Sequence, residues 1–370
     1  MVTAIPSLMS IPINTIVIFP RPHPDNIVAI MLLRLFGKEK FPGVENAKID
    51  FISKLPDGKN ADDYEREGTL LIDMGGGKFD HHTQEGGKDN SGECATTLVA
   101  KYLGVDNDPA LKKLLTYVKR DDLEGKGIIS NDPIDRAFGF SGLIMNLNRE
   151  YSNDPQKIID ITMPIFMSHY VEERKRMTVL PQQWEGLQKD NKTDQFEVFQ
   201  GKKMLKVIVV ENDDVSLVGF LRANPKTKAD VVVQRLSSGH TNIITKQMRN
   251  VNLKDVATML RIEEARKKDA VLEVSSIAEL SKAHRLKGVE EWYYDTTANS
   301  IQNGGIAPEG ITATKLSLDE VKEIIKNALN PNALAYTCPK TKCSEENCNF
   351  YDYHLGRCMS IQKASTSNNK

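Results

Sequence analysis

A chain of 370 residues is long enough for two domains and a sizeable buried core. Its 49 Lys and Arg against 50 Asp and Glu give a net charge of −1, which excludes a global basic field for gripping long nucleic acid and makes any phosphate binding local. With no apolar run near the ~18 residues of a membrane span, no basic start ahead of Pro6 and Pro12, and four of five cysteines in one C-terminal cluster, the composition speaks for a cytoplasmic protein without membrane contact rather than a secreted disulfide framework.

Thr15–Phe19 (TIVIF) is β-branched and bounded by prolines, so it reads as a core strand. Three prolines stiffen the loop from Pro20 to Pro24 and hold His23 and Asp25 with little entropy to lose. Asn26 can cap the next helix, which is apolar nearly all round, as a buried crossover helix is, and Gly37 stops it. Lys48–Ser53 predicts a second strand. The organising stretch is Leu70–His82, LLIDMGGGKFDHH. Its apolar run ends in Asp73, as a buried parallel strand delivers a carboxylate to its carboxyl edge. Gly75, Gly76 and Gly77 allow a sharp turn, and Asp80, His81 and His82 follow together.

Such oxygen and imidazole donors suit Mn²⁺, Zn²⁺ or Fe²⁺, although one Asp-His-His triplet is also compatible with a solvated loop. Two further acidic clusters favour a site, each after its own apolar segment. One is His23-Pro24-Asp25-Asn26; the other is Asp121-Asp122, after the helix-like Leu111–Val118. Segment ends carrying Asp and His can converge at one edge of an α/β sheet. Asp121 and Asp122 also fit an ordinary acidic turn after a helix, and the residues leave open which of the two would coordinate. Ala95–Leu103 reads as a helix ending at Gly104, and the alternation of strand and helix implies a parallel sheet. Cys94 reads as a small buried hydrophobe.

The order H-x-D, isolated strand-end Asp, D-H-H and later Asp resembles the DHH phosphoesterase superfamily. PHPDNIVAIMLL followed by IDMGGGKFDHHTQ most resembles its MYG1-like branch, over roughly the first 165 residues. The resemblance implies a hydrolase with a two-metal site, with Mn²⁺ expected and Mg²⁺ as the alternative. Two cations ~3.5–4 Å apart need a bridging carboxylate, and Asp73 is the candidate. His23 and Asp25 would hold one ion, His81 the other, with Asp121 or Asp122 completing the pair. By resemblance His82 would contact the phosphate and Asp80 would orient its neighbours. Asn26 departs from the family, many of whose members carry a further acid there. The implied activity is 3′–5′ exonuclease action on RNA or short oligonucleotides. Hydrolysis of pyrophosphate, polyphosphate or a small nucleotide is an alternative, and a degenerate nucleotide- or RNA-binding module without catalysis is another.

Ile158 to about Gln188 is helical in pattern, interrupted by Pro164 and Pro181, and reads as a connector or as a simple surface helix. Met204–Val210 and Asp230–Gln234 predict strands of a second domain. Arg235 and the turn Ser238-Gly239-His240 loosely resemble the Gly-Gly-His turn of the substrate-binding domain that follows many DHH domains; an ordinary hairpin turn fits equally. In Glu290–Tyr294 (EEWYY) the three aromatics suit a core better than base stacking. Ser317–Leu329 is an amphipathic helix with Ser317 as cap and Glu320 at the capping-box position. Cys338, Cys343, Cys348 and Cys358 follow in a segment too small for its own core, which suits a structural Zn²⁺, with an iron–sulfur cluster or free thiols as alternatives.

The expected class is therefore α/β. A parallel-sheet DHH-type domain spans 13–165, with a helical connector at 166–195. A smaller α/β substrate-binding domain follows at 196–333, then the Cys-rich segment at 334–362 and a disordered tail at 363–370. The oligomeric state stays open, a homodimer being compatible.

Overall fold

In the computed structural model, which describes residues 11–56, 58–82, 92–274, 277–304 and 310–330, the chain divides into two units, one ending at Val179 and one beginning at Leu180. The first is built on strand β1 (Thr15–Ile18), helix α1 (Pro24–Phe36), β2 (Lys48–Phe51), α2 (Ala61–Arg66) and β3 (Thr69–Leu71). The strands run parallel in the order β2-β1-β3, with Thr15 opposite both Lys48 and Thr69. Parallel neighbours need crossovers, and α1 and α2 supply them. Pro24 begins α1 with a fixed φ and no N–H to leave unpaired. The helix is buried from Pro24 to Leu33, and the Gly37 N–H closes it on the Leu33 carbonyl at 2.8 Å.

The rest of the first unit is helical: α3 (Ala95–Leu103), α4 (Lys112–Glu124), α5 (Pro133–Ala137), α6 (Phe140–Glu150) and α7 (Pro155–Arg174). Ile16, Ile18, Ile30, Leu70, Val99 and Leu114 form a core with Phe166 and Tyr170 of α7. The stretch expected as a connector thus contributes to this core, and the boundary falls within it. Pro164 is carried inside α7; a π-type turn at Lys175–Val179 lies just ahead of Pro181, whose ring would clash with the carbonyl four residues back in a regular helix. One correction concerns Asp121 and Asp122. They do not follow a helix but lie in the last turn of α4, which runs on to Glu124 and stops where Gly125 takes φ 63°. Polar Lys119–Asp122 ended the apolar pattern without ending the helix.

The second unit comprises α8 (Leu180–Lys189), β4 (Thr193–Gln200), β5 (Lys203–Glu211), α9 (Val215–Ala223), β6 (Val231–Arg235), β7 (Thr241–Thr245), α10 (Lys254–Lys268), β8 (Trp292–Asp295), β9 (Ser300–Asn303) and α11 (Leu318–Leu329). Its mixed sheet is the larger of the two, six strands in the order β4-β5-β6-β7-β9-β8, parallel only between β5 and β6. On one face Val207, Val233, Ile243, Trp292, Tyr294 and Ile301 pack with α10 and α11; on the other, Ile208, Val210 and Val232 pack with α8 and α9. Ser317 caps α11 as expected, accepting from the Glu320 N–H at 3.2 Å.

Two charged side chains of α10 are wholly buried. Arg261 donates to the carbonyls of Leu280 (2.7 Å), Lys282 (2.9 Å), His284 and Trp292 (3.3 Å). Glu264, one turn on, accepts from the Trp292 indole (3.0 Å), the Thr314 hydroxyl and the Lys315 N–H (2.8 Å). One helix face thereby ties down two irregular segments, and the buried Leu280 carbonyl finds its donor there; the His284 carbonyl also accepts from the Tyr294 N–H at 3.2 Å. No helix among the described residues is long and apolar enough to cross a membrane.

Candidate metal centre

Asp73 sits two residues beyond β3 with φ 60°, a left-handed conformation that few residues other than Gly, Asn and Asp adopt readily. Its N–H donates to the Phe79 carbonyl at 2.9 Å, closing a loop in which Gly75 (φ 81°) and Gly76 (φ 66°) supply the positive dihedrals. A Cβ on Gly75 would press on the side-chain ends of Leu71 and Leu55 at 2.7 and 2.9 Å, which can give way, so it is the positive φ that calls for glycine there. The loop returns His81 and His82 to the end of the same strand.

The carboxylate of Asp73 is 3 % exposed and faces three imidazoles. His81 Nδ1 lies 3.0 Å from Oδ1, His82 Nδ1 3.4 Å from Oδ1, and His23 Nε2 3.4 Å from Oδ2. On its other side His81 presents Nε2 to Asp122 Oδ2 at 3.2 Å. Asp25 completes a second group with His81 and Asp122, so His81 belongs to both clusters able to hold an ion: Asp73, His81 and His82, and Asp25, His81 and Asp122. Asp121 lines the adjacent cleft and belongs to neither.

Despite these short distances, Asp73 Oδ1 and both ring nitrogens of His81 are buried without a hydrogen bond in acceptable geometry. One ligand atom from each residue of either cluster lies within 4.8 Å of the others, close enough to share a single ion. This donor set of carboxylate and imidazole fits a divalent cation of the Mn²⁺ or Zn²⁺ type.

The neighbours are held in turn. Asp25 accepts from the Ala95 and Thr96 N–H groups at 2.8 Å each, at the start of α3. Asp80 accepts from the Gly76 and His82 N–H groups at 2.7 and 3.0 Å and meets His82 Nδ1 at 2.9 Å. Asn26 donates from Nδ2 to Asp73 Oδ2 at 3.2 Å. The Asn26 amide therefore orients the central carboxylate. Buried Cys94 stands at the N-cap of α3, its thiol pushed up by burial and then by Asp25, which suits a packing role.

Electrostatics separate the carboxylates. Burial alone would raise Asp73, but contact with His23 and His81 holds it well below the usual carboxylate range. Burial and then the nearby Asp73 push Asp25 up. Burial works against a charged His23, yet Asp73 raises it overall. His81 is pushed up to about 10 by Asp122 and then Asp73. A raised imidazole contributes stability that is complete below its ordinary value near 6.5 and fades as pH climbs towards about 10. Metal-free protein is thus expected to lose resistance to urea between pH 7 and 10. Coordination needs a neutral imidazole, so an added divalent ion should release protons and bind more tightly as pH rises. Calorimetry in buffers of different ionisation heat measures the release; binding without proton release, or affinity that falls over this range, contradicts the assignment.

A cleft of about 420 Å³ opens beside the centre, lined by His23, Asp121 and Asp122 with Arg136, Ser141 and Asn148. Asn148 Nδ2 donates to the Pro22 carbonyl at 2.8 Å and so fixes the proline loop that carries His23. Ser141 Oγ meets the Tyr117 hydroxyl at 2.6 Å. Arg136 is exposed and has no carboxylate partner among the described residues. None of these three belongs to a motif or a periodic pattern. Only the fold brings them to the centre.

The remaining expected positions lie elsewhere. Ser238, Gly239 and His240 form the hairpin turn between β6 and β7, where their polar groups are engaged internally. Arg235 donates to the Gly239 and Leu316 carbonyls at 3.0 and 2.9 Å, and His240 meets Ser238 Oγ at 2.9 Å and the Ile311 carbonyl at 3.0 Å. Cys338, Cys343, Cys348 and Cys358 lie outside the described residues, and with them the expected Zn²⁺ site. No family model matches the chain, and no curated protein matches it significantly.

Proposed function

We propose that the first unit is a metal-dependent phosphoester hydrolase that shortens RNA or short oligonucleotides from the 3′ end. The observation that carries this reading is the buried Asp73–His81–Asp122 row at the edge of an open cleft, in which Asp73 Oδ1 and both His81 ring nitrogens are buried without a hydrogen bond. Two divalent ions, Mn²⁺ by expectation, would draw their ligands from Asp73, His81 and His82 and from Asp25 and Asp122, with His81 serving one ion only because a neutral imidazole has a single free lone pair; ions so placed lower the pKa of water and offset charge on phosphoryl oxygens. His23 adds an imidazole beside Asp73. Arg136 offers the cleft a guanidinium fork matched to a phosphate, and Ser141 a hydroxyl. Asp80, held by the Gly76 amide, fixes the His82 ring. The sequence resemblance over the first 165 residues supports the reaction class, and the near-neutral net charge supports a short substrate held at its end.

The test is a parallel assay of the full-length protein with Mn²⁺ or Mg²⁺ on short RNA, short DNA, a cyclic dinucleotide and pyrophosphate. Stepwise release of mononucleotides from the RNA 3′ end, stopped by chelation, is expected. Turnover of pyrophosphate alone would move the reading to a small-molecule phosphohydrolase. No turnover with any ion would leave a binding module.

A further inference from the structure

In the second unit, strand alternation sends Trp292 and Tyr294 into the core with α10, whereas Tyr293 lies on the opposite face of the sheet. Helix α9 reaches that face at β7, where Ile244 packs with the α8–α9 core and Arg222 meets the Thr245 carbonyl; towards β8, Gln302 and Tyr293 are half-buried. Tyr293 is paired across the strands with Gln302, and Gln302 with Asn242, so these three side chains form a row. The Arg285 guanidinium lies 5.1 Å from the Tyr293 ring centroid, and the His284 ring 5.9 Å from it. Gln302 also lines a pocket of about 500 Å³ with Ser300, Ile244, Lys246 and Arg222. Arg222 spends one Nη on the Thr245 carbonyl at 2.9 Å; Lys246 makes no side-chain hydrogen bond or ion pair among the described residues. Asp295 shares the face, but its Oδ1 accepts from the Thr297 and Ala298 N–H groups.

We propose that this face binds single-stranded RNA, with a base stacked at Tyr293 and Arg285, base edges met by Gln302, and backbone phosphate held by Lys246 and Arg222. Aromatic and guanidinium planes on a sheet face, an amide beside them and cations without carboxylate partners at one end are the three components of single-strand recognition. Three strands about 4.8 Å apart match the width over which RNA-binding sheets stack two or three bases. The choice of RNA over other polyanions rests on the phosphoesterase reading of the first unit; the surface itself does not.

Fluorescence anisotropy with a labelled oligouridylate of about eight nucleotides, in EDTA and at several salt concentrations, tests the surface on the full-length protein without turnover. Tyr293→Ala should weaken binding about five-fold or more, while Tyr293→Phe, which keeps the ring, should bind as the parent does. Lys246→Gln should flatten the salt dependence by about 0.7 in log–log slope, the share of one phosphate contact on a single strand. Tryptophan fluorescence checks folding, and should Tyr293→Ala fail to fold, the slope of Lys246→Gln decides. Absent binding by the parent protein, or affinity and slope unchanged in both variants, overturns the proposal. Binding that depends on this face without RNA cleavage on adding Mn²⁺ sinks only the exonuclease reading. Cleavage of a dinucleotide with oligouridylate affinity untouched by the variants sinks only the surface.

Discussion

Asp73→Asn is expected to fold as the parent protein does and to lose about 10³-fold or more in turnover. Asn keeps the volume of the side chain and is among the few residues that accept φ 60°, so the turn after β3 is not strained further; Ala would add roughly 1–2 kcal/mol there. The amide oxygen can still accept from Asn26 Nδ2. What disappears is the one buried charge facing His23, His81 and His82 together. If the phosphoesterase reading is right, losing that charge forfeits cation binding worth several kcal/mol to the reaction. Far-UV circular dichroism would report the fold and calorimetry the ion, with RNA turnover alongside. Undiminished hydrolysis by a folded, homogeneous Asp73→Asn sample would remove Asp73 from the mechanism.

The second large effect is on stability. Arg261→Met should lower the unfolding midpoint of the second unit by about 10 °C, corresponding to roughly 3–5 kcal/mol. Met matches the length of the arginine stem, so packing along α10 is largely preserved. The carbonyls of Leu280, Lys282, His284 and Trp292, however, lose their shared donor, and an unpaired buried acceptor costs about 1–3 kcal/mol before the segment relaxes. Arg261→Lys would restore charge without the planar fork and should recover only part of the loss. Both tryptophans of the chain, Trp184 and Trp292, lie in this unit, so intrinsic fluorescence reads its unfolding separately from the first. A midpoint within about 2 °C of the parent would mean that the carbonyls find other donors.

Locally written features were legible in the amino-acid order. β1, α1, α3 and α11 carry their own boundaries in Pro20, Gly37, Gly104 and Ser317, and a short-range rule reads each. The Asp and His positions of the centre could be selected because each ends an apolar segment. The choice between Asp121 and Asp122 could not, because it depends on which side of α4 meets His81, a tertiary fact. Asn26, read as a helix cap, does accept from the His23 N–H in the capping box of α1; that its Nδ2 also reaches Asp73 is again a tertiary fact. β4, β7 and β9 are short or half-exposed, and their alternation is too weak to separate from loops. Arg261 and Glu264 look like surface charges on a helix. Only the segments packed against α10 make them internal, and no periodicity rule assigns a buried role to such residues.

The centre's donors come from widely separated parts of the chain: His23 and Asp25 from the loop into α1, Asp73 and His81 from the turn after β3, Asp122 from the end of α4. Asp73 and His81 meet within one turn, but His23 and Asp25 can join them only once β1 is paired with β3. Contacts of such long sequence separation form late, after the entropy of closing the intervening loops has been met. Before that stage a divalent ion finds only the local turn of Asp73, His81 and His82, and not the full donor set. It would leave the refolding rate nearly unchanged and slow unfolding, so that its presence would register as kinetic persistence of the native state.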